Sequence, residues 1–201
     1  MPHHLYLVRH GEQLDAEHGL PDGTLSPRGR RQAELLAERL GGIPFDAAYH
    51  SPLERAAETA EIIATKMPAL TPEPSPLLFD CVPSGPTPET PSAYAPFFGS
   101  FTELEFEAGR AQMADANAEF LRSHREDRHD LLITHNFVIA WFVREALGAP
   151  EWRWVTINQA NCGLTVLSQR APNRPWSLVV HNDLAHLPPE LRTGLPEPYL
   201  I

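Results

Sequence analysis

The chain has 201 residues, 42% of them hydrophobic and 21% charged, enough for one domain with a sizeable core and neither membrane-like nor disordered in composition. Lys and Arg number 16 against 26 Asp and Glu, for a net charge of −10, the wrong sign for a surface that displaces counterions from a nucleic-acid backbone. No apolar run reaches the ~18 residues of a membrane span, so neither nucleic acid nor a membrane is an expected partner. Cys81 and Cys162 form neither a disulfide framework nor a metal-ligand spacing. Met1 to His4 lead into an apolar run with no basic leader, which makes a reducing cytoplasm the expected setting.

Leu5 to Val8 is a short apolar run opening into Arg9-His10-Gly11, the pattern of a buried strand ending in a polar turn. Ser26-Pro27 reads as an N-cap with proline at the first helical position. Ala33, Leu36, Ala37 and Leu40 then share one helical face until Gly41-Gly42, an amphipathic helix with a stop. A strand over Asp46 to His50 precedes Ser51-Pro52-Leu53-Glu54, which has the S-x-x-E form of a capping box. The helix expected from it carries Leu53, Ala56, Ala57, Ala60, Ile63 and Ala64 as its apolar stripe.

Eight prolines fall between Pro72 and Pro96, which forbids a long helix or a central strand and predicts a lid over residues 72–100 of a single domain. A helix is expected over Glu103 to His124, with Phe106, Met113, Phe120 and Leu121 facing in and Gly109 weakening its first part. Asp130 to Thr134 is an apolar strand running into His135-Asn136 and a helix apolar almost all round, hence buried. Gly163 to Leu167 and Trp176 to Val180 read as an edge hairpin. The order is that of an α/β fold in three layers, a mostly parallel central sheet with helices on both faces. In such sheets the ligand crevice lies beyond the carboxyl ends of the strands, where Arg9-His10, His50-Ser51 and His135-Asn136 converge.

Hydrolysis of a phosphomonoester needs bidentate donors for the phosphoryl oxygens, an in-line nucleophile and an acid for the leaving oxygen. Arginine forks and neutral imidazoles supply the first two. Leu7-Val8-Arg9-His10-Gly11-Glu12 resembles the Arg-His-Gly signature of the histidine phosphatase superfamily, in its phosphoglycerate-mutase-like branch. Residues 24–33, residues 51–60 and Leu132-Ile133-Thr134-His135 resemble the family's first-helix entry, second-helix entry and second-histidine strand, in family order. The resemblance implies a phosphoglycerate-mutase-like fold, His10 as the phosphorylated catalytic nucleophile, Arg9 and Arg55 as phosphate-binding clamps, and His135 as a catalytic donor to the same oxygens. Arg55, in the first turn of its helix, is also expected to gain amide donors and partial positive charge from that helix N-terminus.

The family's acid lies in its variable lid, which here points to Asp80, with Glu73, Glu89 and Glu103 as rivals in the same stretch. Residues 77–91 and 184–189 resemble the serine/threonine protein phosphatases of the family. Asn136 stands where a small residue is frequent, and Ala16 where several branches carry Asn, so no phosphate contact is expected from either. No cofactor is expected, and neither H-E-x-x-H nor C-x-x-C occurs, which leaves a metal-dependent hydrolase without ligand spacing. The expected function is a metal-independent phosphatase acting on a phosphoprotein or a small phosphorylated metabolite. The alternative is a phosphate-binding module of the same fold without a competent acid, and a mutase would need a longer enclosing insertion. Two readings stand for Tyr94, Phe97, Phe98 and Phe101, a substrate pocket or packing against the core, the commoner reason for such a cluster, and two for Pro188 to Ile201, a homodimer surface or a simple surface crossing.

Overall fold

The computed structural model describes residues 1–15 and 22–196; Ala16 and the end of the Pro188–Ile201 stretch lie outside them. A sheet of six strands runs in the order β3-β2-β4-β1-β5-β6, from β1 (His3–Arg9), β2 (Ala47–His50), β3 (Glu73–Pro74), β4 (Arg128–Thr134), β5 (Leu164–Gln169) and β6 (Ser177–Asp183). β1, β2, β3 and β4 pair in parallel, and β5 and β6 add the expected antiparallel edge. The helices are α1 (Pro27–Leu40), α2 (Glu54–Ala64), α3 (Ala95–Phe98), α4 (Glu103–Phe120) and α5 (Asn136–Ala146).

Side chains alternate across a pleated strand, and β1 and β4 divide their apolar residues accordingly. Val8, Leu131 and Ile133 pack with Leu36 of α1 and Ile63 of α2 on one face. Leu5, Leu7 and Leu132 pack with Met113 of α4 and Phe142 of α5 on the other. This is the three-layer α/β architecture expected, with both faces of the central strands covered. Tyr94, Phe97 and Phe101 pack against the second core, in which Phe98 is buried, the commoner of the two readings of that cluster.

One helix start differs from the sequence reading, that of α2. Ser26 does cap α1, accepting from the Gly29 amide at 2.9 Å. α2, however, begins at Glu54 with Leu53 as N-cap and no side-chain cap of its own. The Glu54 amide donates instead to both carboxylate oxygens of Asp22, at 3.0 and 3.1 Å. A carboxylate 32 residues upstream has thus replaced the local capping box, and one amide expected to face an anion is already engaged. α4 stops at Phe120 rather than His124, and β4 starts two residues early, at Arg128.

The proline-rich segment is fastened to the strand ends. Thr134 Oγ1 donates to the Leu78 carbonyl at 2.8 Å, and Gln112 Nε2 donates to the Leu77 and Phe79 carbonyls at 3.2 and 2.8 Å. Gly109, which weakens helix propensity, is explained by contact: a Cβ there would lie 1.8 Å from the Val82 carbonyl oxygen. Gly11 and Gly29 likewise let the end of β1 meet the first turn of α1 backbone to backbone, since a Cβ on Gly11 would lie 2.6 Å from the Gly29 oxygen. No helix among the described residues is long and apolar enough to cross a membrane.

Candidate active site

The carboxyl ends of β1, β2 and β4 are drawn together by backbone bonds that continue the ladders: His10 N to Thr134 O at 3.0 Å and Ser51 N to Ile133 O at 2.9 Å. Those bonds bring His10, Ser51 and His135 to one point. A cavity of about 210 Å³ opens there, and Arg9, His10, Asp80, His135 and Asn136 are among its lining residues. Arg55, only 5% exposed, lies behind them as the second residue of α2. Its Nε donates to His10 Nε2 at 3.1 Å, and one terminal nitrogen reaches His135 Nδ1 at 3.2 Å and Asp80 Oδ2 at 3.3 Å.

The imidazoles are held in defined states. His10 Nδ1 lies 2.7 Å from the Gly11 carbonyl and donates to it, which leaves Nε2 as the bare nitrogen facing Arg55. Burial, with Arg9 and Arg55 close by, pushes the His10 pKa well below its ordinary value, so the ring is neutral at pH 7. Burial followed by the same neighbours, His10 included, does likewise to His135. His135 Nε2 lies 2.8 Å from Ser51 Oγ, a contact that fixes the ring and engages the serine that the sequence marks as the cap of α2.

Arg9 Nη1 donates to the carbonyls of Gln159 and Gly194 at 2.7 and 2.9 Å, while its Nε is buried without a hydrogen-bond partner. Burial lowers its pKa to about 10, so it stays cationic. A buried donor left unpaired beside a second guanidinium is able to hold an oxyanion, a local positive charge within a chain of acidic net charge. Asp80 stands at the mouth with 44% of its side chain exposed. Protein crowds its inner side, and the desolvation raises its pKa against the opposing pull of Arg55 and Arg9.

All five residues singled out from sequence, Arg9, His10, Arg55, Asp80 and His135, therefore surround one pocket. The rival acids do not: Glu73 is exposed on β3 at the sheet edge, Glu89 faces Thr87, and Glu103 pairs with Arg110. Sequence reading missed Asp22, whose Oδ1 also lies 3.3 Å from an Arg55 terminal nitrogen. It also missed Asn161, whose side-chain amide donates to the His10 carbonyl at 3.0 Å. Neither stands at a spacing that marks it, because both act through chain segments remote in sequence.

The family model described as histidine phosphatase superfamily (branch 1) matches residues 5–81 and 88–184. The chain is 34% identical over 193 residues to the mitochondrial serine/threonine-protein phosphatase Pgam5 of Caenorhabditis elegans, and 33% identical over 195 residues to PGAM5 of Homo sapiens. These alignments cover 92% and 93% of this chain but 64% of each relative, so the chain spans a little under two thirds of their length. Among solved structures, a putative alpha-ribazole-5'-P phosphatase from Escherichia coli superposes with a TM-score of 0.72 at 21% identity, covering 90% of this chain and 96% of that one. Both relatives are named as mitochondrial, which overturns the cytoplasmic setting expected from the cysteines and the N-terminal residues. A low cysteine count reports a reducing environment, and more than one compartment provides that.

Proposed function

The chain belongs to the histidine phosphatase superfamily (branch 1), and we propose that it is a metal-independent phosphomonoesterase in which His10 Nε2 receives the phosphoryl group. The observation that carries this reading is the buried Arg55 guanidinium, within 3.3 Å of His10, His135 and Asp80 at once. A phosphoryl dianion entering the pocket exchanges those contacts for its own oxygens, with Arg9 Nε as a further donor. Neutral His10 attacks phosphorus in line as the bond to the leaving oxygen breaks, and Asp80, in its acid form, gives that oxygen a proton. His135 and the two arginines hold the charge that spreads over the equatorial oxygens. In the second half, Asp80 takes a proton from water, water attacks the phosphohistidine, the P–N bond breaks, and phosphate leaves His10 neutral again.

The cavity of about 210 Å³ is a fit for a phosphoryl group, and a groove of about 860 Å³ adjoins it through Asn158, Gly194 and Leu195. Room beyond the phosphate, together with relatives named serine/threonine-protein phosphatases, supports a phosphoserine or phosphothreonine side chain of a protein as substrate. Hydrolysis of an aryl phosphate and of a phosphopeptide, with chelator present, tests the reading. The parent is expected to turn over both and to trap acid-labile phosphate, while His10→Ala does neither. Undiminished turnover by His10→Ala would refute the nucleophile, and binding of phosphopeptide without turnover by the parent would favour a phosphate-binding module.

A further inference from the structure

At the opposite end of β1 and β4 from His10, a second group of imidazoles has no part in that chemistry. His4 and His129 are register partners across the parallel pair, their rings stacked at 24° with centroids 4.7 Å apart. Asp127, just before β4, puts a carboxylate oxygen 4.0 Å from His129 Nε2, and one ligand atom from each of the three lies within 4.8 Å of the others. Tyr6, two residues along β1 on the His4 face, places its hydroxyl 3.2 Å from His129 Nδ1. That contact engages one ring nitrogen and leaves Nε2 for the Asp127 side, as an outer-shell partner does for a metal-bound imidazole.

We propose that His4, His129 and Asp127 form a binding site for a divalent transition ion of the zinc class, completed by water. Two imidazoles and one carboxylate are a donor set that Zn²⁺ accepts, with ligand atoms about 3.3 Å apart around a tetrahedral ion. Asp127 is more than half exposed, so its side chain is free to close the 4.0 Å separation toward that spacing, while the stacked His4 and His129 rings must turn their edges toward one ion. The cluster on the other sheet face, His3, His124 and Asp130, is less suited. Asp130 Oδ2 already accepts from His3 Nε2 at 3.0 Å and from the Arg128 guanidinium at 2.8 Å, which sets a cation where the ion would sit. An ion on His4 lies about 20 Å along β1 from His10, so its effect is to tie β1 to β4 and to the turn before β4, apart from phosphoryl transfer.

Calorimetric titration of Zn²⁺ into the tag-free full chain, with circular dichroism to confirm that each variant is folded, decides the matter. One ion per chain is expected, with an affinity at least tenfold weaker in Asp127→Asn and His129→Ala and roughly tenfold weaker in Tyr6→Phe. Zn²⁺ should raise the melting temperature of the parent and leave that of Asp127→Asn unmoved. The absence of stoichiometric binding, or binding unchanged in both ligand variants, would overturn the proposal. Loss of binding in His10→Ala or His3→Gln instead would overturn it too, by moving the ion to the phosphate pocket or to the buried cluster.

Discussion

Arg55 Nε donates at 3.1 Å to His10 Nε2, the nitrogen proposed to attack phosphorus. The same guanidinium keeps that nitrogen unprotonated in the free site, and on the proposed mechanism it becomes a phosphoryl clamp once substrate displaces it. Lysine carries the charge but not the planar fork, so Arg55→Lys loses at least one charge-assisted bond. Such a bond is worth about 1.5–3 kcal/mol, which corresponds to a fall of roughly 10- to 100-fold in kcat/KM. Steady-state kinetics on an aryl phosphate measures it, and an unchanged kcat/KM would show that Arg55 does not touch the reacting group.

Ser51 separates a structural role from a functional one. If it served only the start of α2, Ser51→Ala would lower the melting temperature and leave turnover alone. Because its hydroxyl meets the buried His135 Nε2 at 2.8 Å, the variant should lose about 1 kcal/mol of stability and also roughly tenfold in kcat, the equivalent of about 1.4 kcal/mol at the barrier. KM is expected to change little, since the two arginines remain.

How far the sequence carried this site follows from where each interaction is encoded. Arg9, His10 and His135 sit at strand ends, where apolar runs stop at polar residues, and Arg55 sits in the first turn of a helix whose apolar stripe is visible. Such local patterns are legible. Ser51 was legible as a polar residue before a helix, but its partner was not, because His135 is 84 residues away and meets it only when β2 and β4 pair. Asp22 as the cap of α2 and Asn161 beneath His10 were invisible for the same reason. Asp80 could be placed in the lid, yet only the fastening of that segment to Thr134 and Gln112 separates it from Glu73, Glu89 and Glu103.

Asp80 must be protonated to serve as acid. Desolvation raises its pKa while Arg55 and Arg9 pull the other way, and the neutral state of His10 persists to well below its ordinary pKa. Activity should therefore fall as pH rises past the Asp80 pKa, with no matching loss just below pH ~6.5 from protonation of His10. Asp80→Asn should remove that alkaline limb and cost roughly 100-fold or more in kcat on phosphoserine. The loss should be smaller on an aryl phosphate, whose leaving oxygen needs less protonation. Equal losses on both substrates would count against Asp80 as the acid.

Folding stability should carry a pH signature of the same pocket. His10 and His135 have folded-state pKa values depressed below their unfolded ones. The unfolded chain therefore binds more protons below pH ~6.5, and the stability present above that pH is lost as pH falls. Denaturant titrations between about pH 7 and 5 should show a shallower loss in His10→Asn than in the parent. Parallel slopes would mean that His10 is not held neutral in the fold.

Gly109 gives a test in which the sign of the effect decides. In an ordinary helix interior, replacing glycine by alanine stabilises by about 1 kcal/mol. In α4 the new Cβ would fall 1.8 Å from the Val82 oxygen, so α4 and the segment carrying Asp80 would have to separate. Gly109→Ala is therefore expected to destabilise by about 1–3 kcal/mol and, because Val82 lies two residues beyond Asp80, to lower kcat as well. Ala108→Gly, at the exposed neighbouring position, should cost about 1 kcal/mol by propensity alone with kcat unaltered. A rise in melting temperature for Gly109→Ala would show that the helix does not press on this segment, and Asp80 would then owe its position to the Gln112 and Thr134 bonds alone.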